Sequence, residues 1–312
     1  MTAPTKAPVP APLPPAEFRC SDAAFERDEP MFGTASHVQR WLLVEQSGPF
    51  SGESVPAGRI GRAALGHLSR LARDVRARLV LIRRPPGVAP EDGVRAYYAD
   101  VRPGWEGIAT YLVPDESALA ELSLEDPGWE PVTASMYLVC THGKHDPCCA
   151  IRGRPVVAAL AGELEPGRLW ECSHVGGDRF AGNVVALPSG LYLGRVEPDE
   201  ASGVVELIES GRVPVHYLRG RSCFIPSVQA AQHFARTKGG LSGLDGIDDL
   251  VPMSVQDSPH DGANAWTVTL ATDAAPFSVT VRRATSAEPA QLTCHSTDEK
   301  FYPEFELVRL GD

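Results

Sequence analysis

Residues 140–183 open CTHGKHDPCC and close on ECSHVGGDRFAGN, and they gather four of the chain's seven cysteines and three of its nine histidines. Thiolate is a soft ligand and imidazole a borderline one, so this density points to transition-metal or redox chemistry. Cys140 and Cys149 stand nine residues apart, and Asp178 follows His174 by four. The loop between the cysteines, kinked by Gly143 and Pro147, is long enough to turn back. Gly176-Gly177 lets the backbone fold tightly around a ligand. Cys140, Cys149 and His174 are therefore the candidate metal ligands, with Asp178 as the candidate fourth.

Neighbouring residues compete for these places. Cys148 offers the same ligand atom as Cys149. Cys172, two residues before His174 on an alternating strand, points the same way and rivals Asp178. Asp178 can equally cap a helix or pair with Arg179. His142 and His145 read as loop residues making hydrogen bonds, and Asn183 as a brace for backbone groups. Cys20, Cys223 and Cys294 read as small buried hydrophobes, and Arg219 and Arg221 as a solvated pair. His216, His233, His260 and His295 have no neighbours of ligand type.

Elements that would position these residues follow from periodicity. Trp41-Leu42-Leu43-Val44 is a buried strand, and a Pro/Gly/Ser loop occupies residues 47–58. Ile60, Ala64, Leu68, Leu71, Ala72 and Val75 then recur at helical spacing, and Leu79-Val80-Leu81-Ile82 is a second strand: a βαβ unit with a right-handed crossover. Tyr97-Tyr98-Ala99 and Thr110-Tyr111-Leu112 add strands. The acidic, proline-bearing stretch 115–131 marks a boundary.

The plan then repeats. Met136-Tyr137-Leu138-Val139 runs directly into Cys140, and a helix over Val156, Val157, Leu160 and Leu164 has Pro155 near its first turn. Arg168-Leu169-Trp170-Glu171 is the next strand. A hairpin around Pro188-Ser189-Gly190 and a helix over residues 199–210, ended by Gly211, complete the unit. Strand, helix, strand, hairpin, helix is the thioredoxin order. A helix from Pro226 and alternating apolar residues from Trp266 to Leu307 close the chain as a small antiparallel sheet. The expected fold is α/β: two thioredoxin-like βαβ-containing units (18–130 and 131–238), a Pro/Ala-rich disordered tail (1–17) before them, and a C-terminal β region (239–312).

With 312 residues and an apolar fraction of 43%, two domains with ordinary cores are expected. A net charge of −11 argues against nucleic acid or an anionic membrane as partner. No apolar run is long enough to cross a bilayer. The N-terminus lacks a basic start and an apolar stretch of signal type, so a cytoplasmic location is expected. There, clustered cysteines signal metal or redox chemistry rather than disulfides.

The segment CTHGKHDPCC…SHVGGDRFAGN resembles the sucrase/ferredoxin-like family, strongly from Met136 to about Val196 and fairly over the N-terminal unit. The resemblance implies a thioredoxin-like domain holding a 2Fe–2S cluster through two cysteines nine residues apart and two histidines four apart. Carried onto this chain, the cysteines are Cys140 and Cys149 and the first histidine is His174. The second histidine's place is taken by Asp178. That exchange makes the oxidised cluster an anion, which Arg179, Arg152, Arg154 and the Arg219-Gly220-Arg221 run are placed to offset. Sucrose cleavage has no support, since no carboxylate pair of glycosidase type stands out.

The leading expectation is an electron carrier or reductase component rather than a hydrolase, docking a reductase or acceptor protein. No G-x-G-x-x-G follows a strand, so its electrons come from another protein. Two other readings stay open: a cluster-free thiol oxidoreductase pairing Cys140 with Cys148 or Cys149, and a structural zinc site or binding module. Colour separates the first from the others, and elemental analysis separates iron from zinc.

Overall fold

The computed structural model describes residues 18–52, 60–239, 245–273 and 275–311. The N-terminal tail and much of the 47–58 loop lie outside these. Helix α1 (Cys20–Glu26) comes first. A mixed α/β body follows: β1 (Arg40–Glu45), α2 (Arg62–Asp74), β2 (Arg78–Arg83), β3 (Val94–Asp100), β4 (Gly107–Val113) and β5 (Glu130–Val132). The order then recurs with β6 (Met136–Cys140), α3 (Pro147–Leu160), β7 (Leu169–Cys172), β8 (Val184–Leu187), β9 (Leu191–Leu193), α4 (Ala201–Glu209) and β10 (Leu218–Arg221).

All ten strands form one sheet, in the order β10-β9-β8-β6-β7-β2-β1-β3-β4-β5. In each half the first strand pairs parallel with the second and antiparallel with the third. The halves meet where β2 and β7 run antiparallel, Ile82 opposite Cys172. Stretch 115–131 does not separate two sheets, because β5 pairs with β4 inside the first half.

Strand β6 is buried along its whole length, as its unbroken apolar run requires. Its side chains alternate between two cores. Tyr137 and Val139 face Val156, Val157 and Leu160 of α3 and Val204, Val205 and Ile208 of α4. Leu138 and Cys140 face the core that contains Val228, Ala231 and Phe234 of α5 (Pro226–Lys238). Helix α5 in turn carries the C-terminal sheet, ordered β11 (Pro252–Asp257), β12 (Ala265–Leu270), β13 (Phe277–Thr285), β16 (Pro303–Leu310), with Val268, Val279 and Val281 inward. A two-stranded ribbon, β14 (Ala290–Gln291) and β15 (Glu299–Lys300), lies between β13 and β16 in sequence.

Helix α3 departs from the expectation. It starts at Pro147, eight residues before the proline assigned to its first turn, and Pro155 lies in its interior. Asp146 is the reason. Its carboxylate accepts the backbone N–H of Cys148 at 2.9 Å, and Pro147 at the first helical position has no N–H to leave unpaired. Buried Val156, Val157 and Leu160 hold the helix past Pro155. Cys148 and Cys149 therefore sit in a helical first turn, not in a loop.

His233 on α5 stacks on Phe32, ring centroids 4.0 Å apart. Burial pushes its pKa down to about 4, and Arg236 and Lys238 add to the shift. The unfolded ring takes a proton below about 6.5, so stability present above that pH is lost as pH falls toward 4. Allowing for solvent screening, ~1–2 kcal/mol should disappear on this acid limb. His233→Phe should flatten it in urea titrations; an unchanged slope would contradict the assignment.

Candidate metal centre

Parallel pairing of β6 with β7 sets Cys140 opposite Cys172, so the loops leaving both strands emerge side by side. Cys140 ends β6, and Cys149 reaches it from the first turn of α3. Gly153 of α3 lies so close to β6 that a Cβ there would fall 2.1 Å from the Cys140 carbonyl oxygen. His174 and Asp178 stand on the loop after β7. The ligand atoms of Cys140, Cys149 and His174 all lie within 4.8 Å of one another. Asp178 adjoins two of the three: its Oδ1 accepts from Cys149 Sγ at 3.1 Å and lies 2.9 Å from His174 Nδ1. That buried nitrogen makes no well-directed hydrogen bond.

The first half of the chain helps to hold this loop. Arg78 of β2 donates to the carbonyls of His174 (2.9 Å) and Val175 (3.0 Å), and Ser36 Oγ donates to Val175 at 3.1 Å. His142 is fixed at both nitrogens: Nδ1 accepts the His174 N–H at 3.2 Å, which leaves Nε2–H to donate to the Ser51 carbonyl at 2.6 Å. It is a structural brace, as expected. Asn183 also braces, donating to the Gly177 carbonyl at 2.8 Å.

His145 does more than line the loop. Its ring stacks on His174 at 3.7 Å, its Nε2 is 3.8 Å from Asp178 Oδ2, and with His174 and Asp178 it forms a second ligand-type group. The signal was present in His-Asp-Pro, because Asp146 as a cap puts His145 just outside the helix, facing the site.

The charges are strongly coupled. Hydrogen bonds from Cys149 and Cys172, and His174 alongside, hold the Cys140 thiol well below its usual range despite burial. Cys149 moves up, against the Cys140 sulfur, burial and Asp178. Burial opposes protonation of His174, but Asp178 and Cys140 outweigh it and lift its pKa to about 9. Burial also opposes charge on Asp178, yet His174 holds its carboxyl below the usual value. The ionisable groups of Cys140, Cys149, His174 and Asp178 thus shift one another within one buried pocket.

Three sequence expectations are corrected. Arg219 and Arg221 are not solvated; they are 2% and 4% exposed. Arg219 runs beneath the Gly176-Gly177 turn, donating to the Gly176 carbonyl (2.8 Å) and to Asn183 Oδ1 (2.7 Å), with Thr34 as a third neutral partner. Gly177 has φ +81° and no room for a Cβ over the guanidinium. Burial lowers the pKa of Arg219 to about 10. Asp178 does not pair with Arg179, which binds Glu29 instead. Finally, Cys148 does not share the pocket with Cys149; its sulfur meets Cys20 and Cys294, which pack with it in a small cluster. A cavity of about 890 Å³ lies elsewhere, lined in part by Arg83, Arg84 and Arg154.

Fold and site together define a mixed α/β protein with a thiolate–imidazole centre of metal-ligating type at the ends of two parallel strands. The sucrase/ferredoxin-like family model matches residues 31–220, more than half of the chain, and the chain belongs to that family. Among curated proteins it is similar to "altered inheritance of mitochondria protein 32" of Meyerozyma guilliermondii, 28% identical over 127 residues, 32% of this chain and 43% of that protein. The protein of the same name from Debaryomyces hansenii is 26% identical over 148 residues, 39% of this chain and 54% of its own. The chain thus matches only about half the length of these relatives. Among solved structures, a thioredoxin-like [2Fe-2S] ferredoxin from Aquifex aeolicus matches with 18% identity and a TM-score of 0.24, covering 28% of this chain and 91% of its own. Its Cys55Ser variant matches with 17% identity and a TM-score of 0.25, covering 27% of this chain and 97% of its own. No helix among the described residues is long and apolar enough to cross a membrane.

Proposed function

We propose that this chain is an electron-transfer protein carrying a 2Fe–2S cluster held by Cys140, Cys149, His174 and Asp178. The observation that carries this reading is the convergence of two thiols and one imidazole from three separate segments within 4.8 Å, with the buried Asp178 carboxylate against Cys149 and His174. The donor types fit such a group: two soft thiolates, a borderline imidazole whose buried Nδ1 lacks a directed hydrogen bond, and an ionised carboxylate. When bound, the cluster supplies one-electron transfer.

The protein's own residues set the conditions for it. Arg78, Ser36 and His142 fix the His174 loop, so the imidazole stays in place. Cys140 and Cys149 are 1% and 0% exposed, which speaks against a dithiol mechanism needing access for exchange. The open side lies at His174 and His145, whose side chains are 22% and 34% exposed, and a reductase or acceptor protein docks there. The cytoplasmic location belongs to this proposal and is checked by fractionation.

His145 competes with Asp178 for the fourth place because it stacks on His174. Asp178→Ala should lower bound iron at least fivefold, whereas His145→Ala should retain it. The reverse result would make His145 the ligand and Asp178 the carboxylate that orients His174.

Arg219 is a buried cation, held by neutral partners, that offsets negative charge here. A buried unit charge near such a centre is worth about 1–2 kcal/mol, on the order of 50–100 mV for one electron. Arg219→Gln should therefore make the midpoint potential more negative by that amount in spectroelectrochemical titration. An unshifted potential in folded, iron-loaded variant would remove the role.

A further inference from the structure

A second cluster of ligands lies on the far side of the first turn of α3. We propose that Cys20, Cys148 and Cys294, with Asp146, form a separate mononuclear zinc site that clamps helix α1 and the β14–β15 ribbon onto that turn. The three sulfurs are 3.7 Å (Cys20–Cys148), 3.4 Å (Cys148–Cys294) and 3.6 Å (Cys20–Cys294) apart. A tetrahedral ion with zinc–sulfur bonds of about 2.3 Å has its sulfurs about 3.8 Å apart, so these three edges describe one face around a single ion. They are far too long for any disulfide, whose sulfurs sit at about 2.05 Å. Both oxygens of Asp146 are 3.7 Å from the Cys20 sulfur, at the corner left for a fourth ligand.

Asp146 is the second, independent observation. It is fully buried, and among the described residues no lysine, arginine or histidine forms an ion pair with it. Among the described residues its oxygens accept from two backbone N–H groups, Cys148 at 2.9 Å and Cys294 at 2.7 Å, and otherwise meet only the weakly donating Cys20 thiol at 3.7 Å. A buried carboxylate without a cation is costly. Each of its oxygens retains a lone pair after one such bond, and three thiols surround it. A divalent thiophilic cation resolves that imbalance, each thiol losing its proton to solvent as it binds. The N-terminus of α3 favours the negative ligand set. Cys294 is only partly buried and gives the ion a way in.

Placement suggests what the site does. Cys20 lies on α1 and Cys294 between β14 and β15, both outside residues 31–220, the part that matches the family. Helix α1 and the C-terminal ribbon are thereby tied to the residue next to Cys149. The clamp fastens these two outlying elements to the body that the family match covers.

Anaerobically isolated full-length protein, incubated with excess zinc and then freed of loose metal on a chelating resin, tests this by elemental analysis and native mass spectrometry. Wild type should retain about one zinc per chain. Cys20→Ser and Cys294→Ser should each lower retained zinc at least fivefold while leaving iron and visible absorbance unchanged. In wild type, Cys294 should be shielded from iodoacetamide until a strong chelator is added. Retention of no zinc, a disulfide among the three thiols, or full zinc in both variants would overturn the proposal. Zinc bound at the first centre would survive both variants and leave with Cys140→Ser, so failure of the two readings is distinguishable. If neither variant folds, alkylation of wild type decides: Cys294 reacting equally with and without chelator overturns the site.

Discussion

Cys149→Ser should empty the first centre of iron, while Cys148→Ser, one residue earlier, should leave it loaded. The two thiols are adjacent in sequence and both buried, so composition alone predicts equal effects. Geometry separates them. The Cys149 sulfur touches Asp178 at 3.1 Å and shares the core with Cys140, whereas the Cys148 sulfur turns to Cys20 and Cys294. Their successive positions in one helical turn, about 100° apart, send them to different sides. Serine is a poor substitute for thiolate toward iron, so iron per chain and visible absorbance should fall at least tenfold for Cys149→Ser. For Cys148→Ser both should remain within about a quarter of wild type in the folded fraction. Equal losses would mean that one site, not two, occupies this turn.

His174→Cys should keep its iron but shift the potential far downward. The change exchanges a neutral ligand for an anionic one, and histidine ligation accounts for a large share of the gap between Rieske-type and all-cysteine clusters. One such exchange is expected to lower the midpoint by on the order of 100–200 mV. It should also abolish pH dependence. In wild type the imidazole nitrogen not used for ligation takes up a proton as negative charge arrives, so the potential falls as pH rises, by at most ~59 mV per unit for one proton and one electron. Protein-film voltammetry from about pH 6 to about pH 9 reads both effects. A flat wild-type profile would exclude proton coupling at His174, and an unshifted variant would exclude it as a ligand.

Much of the positioning was legible in residue pattern. Met136 to Cys140 is an unbroken apolar run and became the buried strand β6; the order of the second unit followed from strand and helix periods and from Gly211. What escaped was mostly non-local. Nothing near Arg219 in sequence announces burial, because its partners Thr34, Gly176 and Asn183 are brought to it by three different segments. Cys20 and Cys294 look like isolated small hydrophobes until folding brings residues 274 positions apart into contact. The edge pairing of β2 with β7, which fuses the halves into one sheet, involves two strands that look alike to any local pattern. The start of α3 is legible too: Asp146-Pro147 is a helix-start signal, a stronger one than Pro155 eight residues later.

The most direct test is anaerobic purification followed by quantitation of iron and acid-labile sulfide, with electron paramagnetic resonance of the dithionite-reduced protein. About two irons and two sulfides per chain and a signal from one unpaired electron are expected of a 2Fe–2S centre. A colourless protein that holds no iron or sulfide even after anaerobic reconstitution, with Cys140 and Cys149 recovered as free thiols, would contradict it.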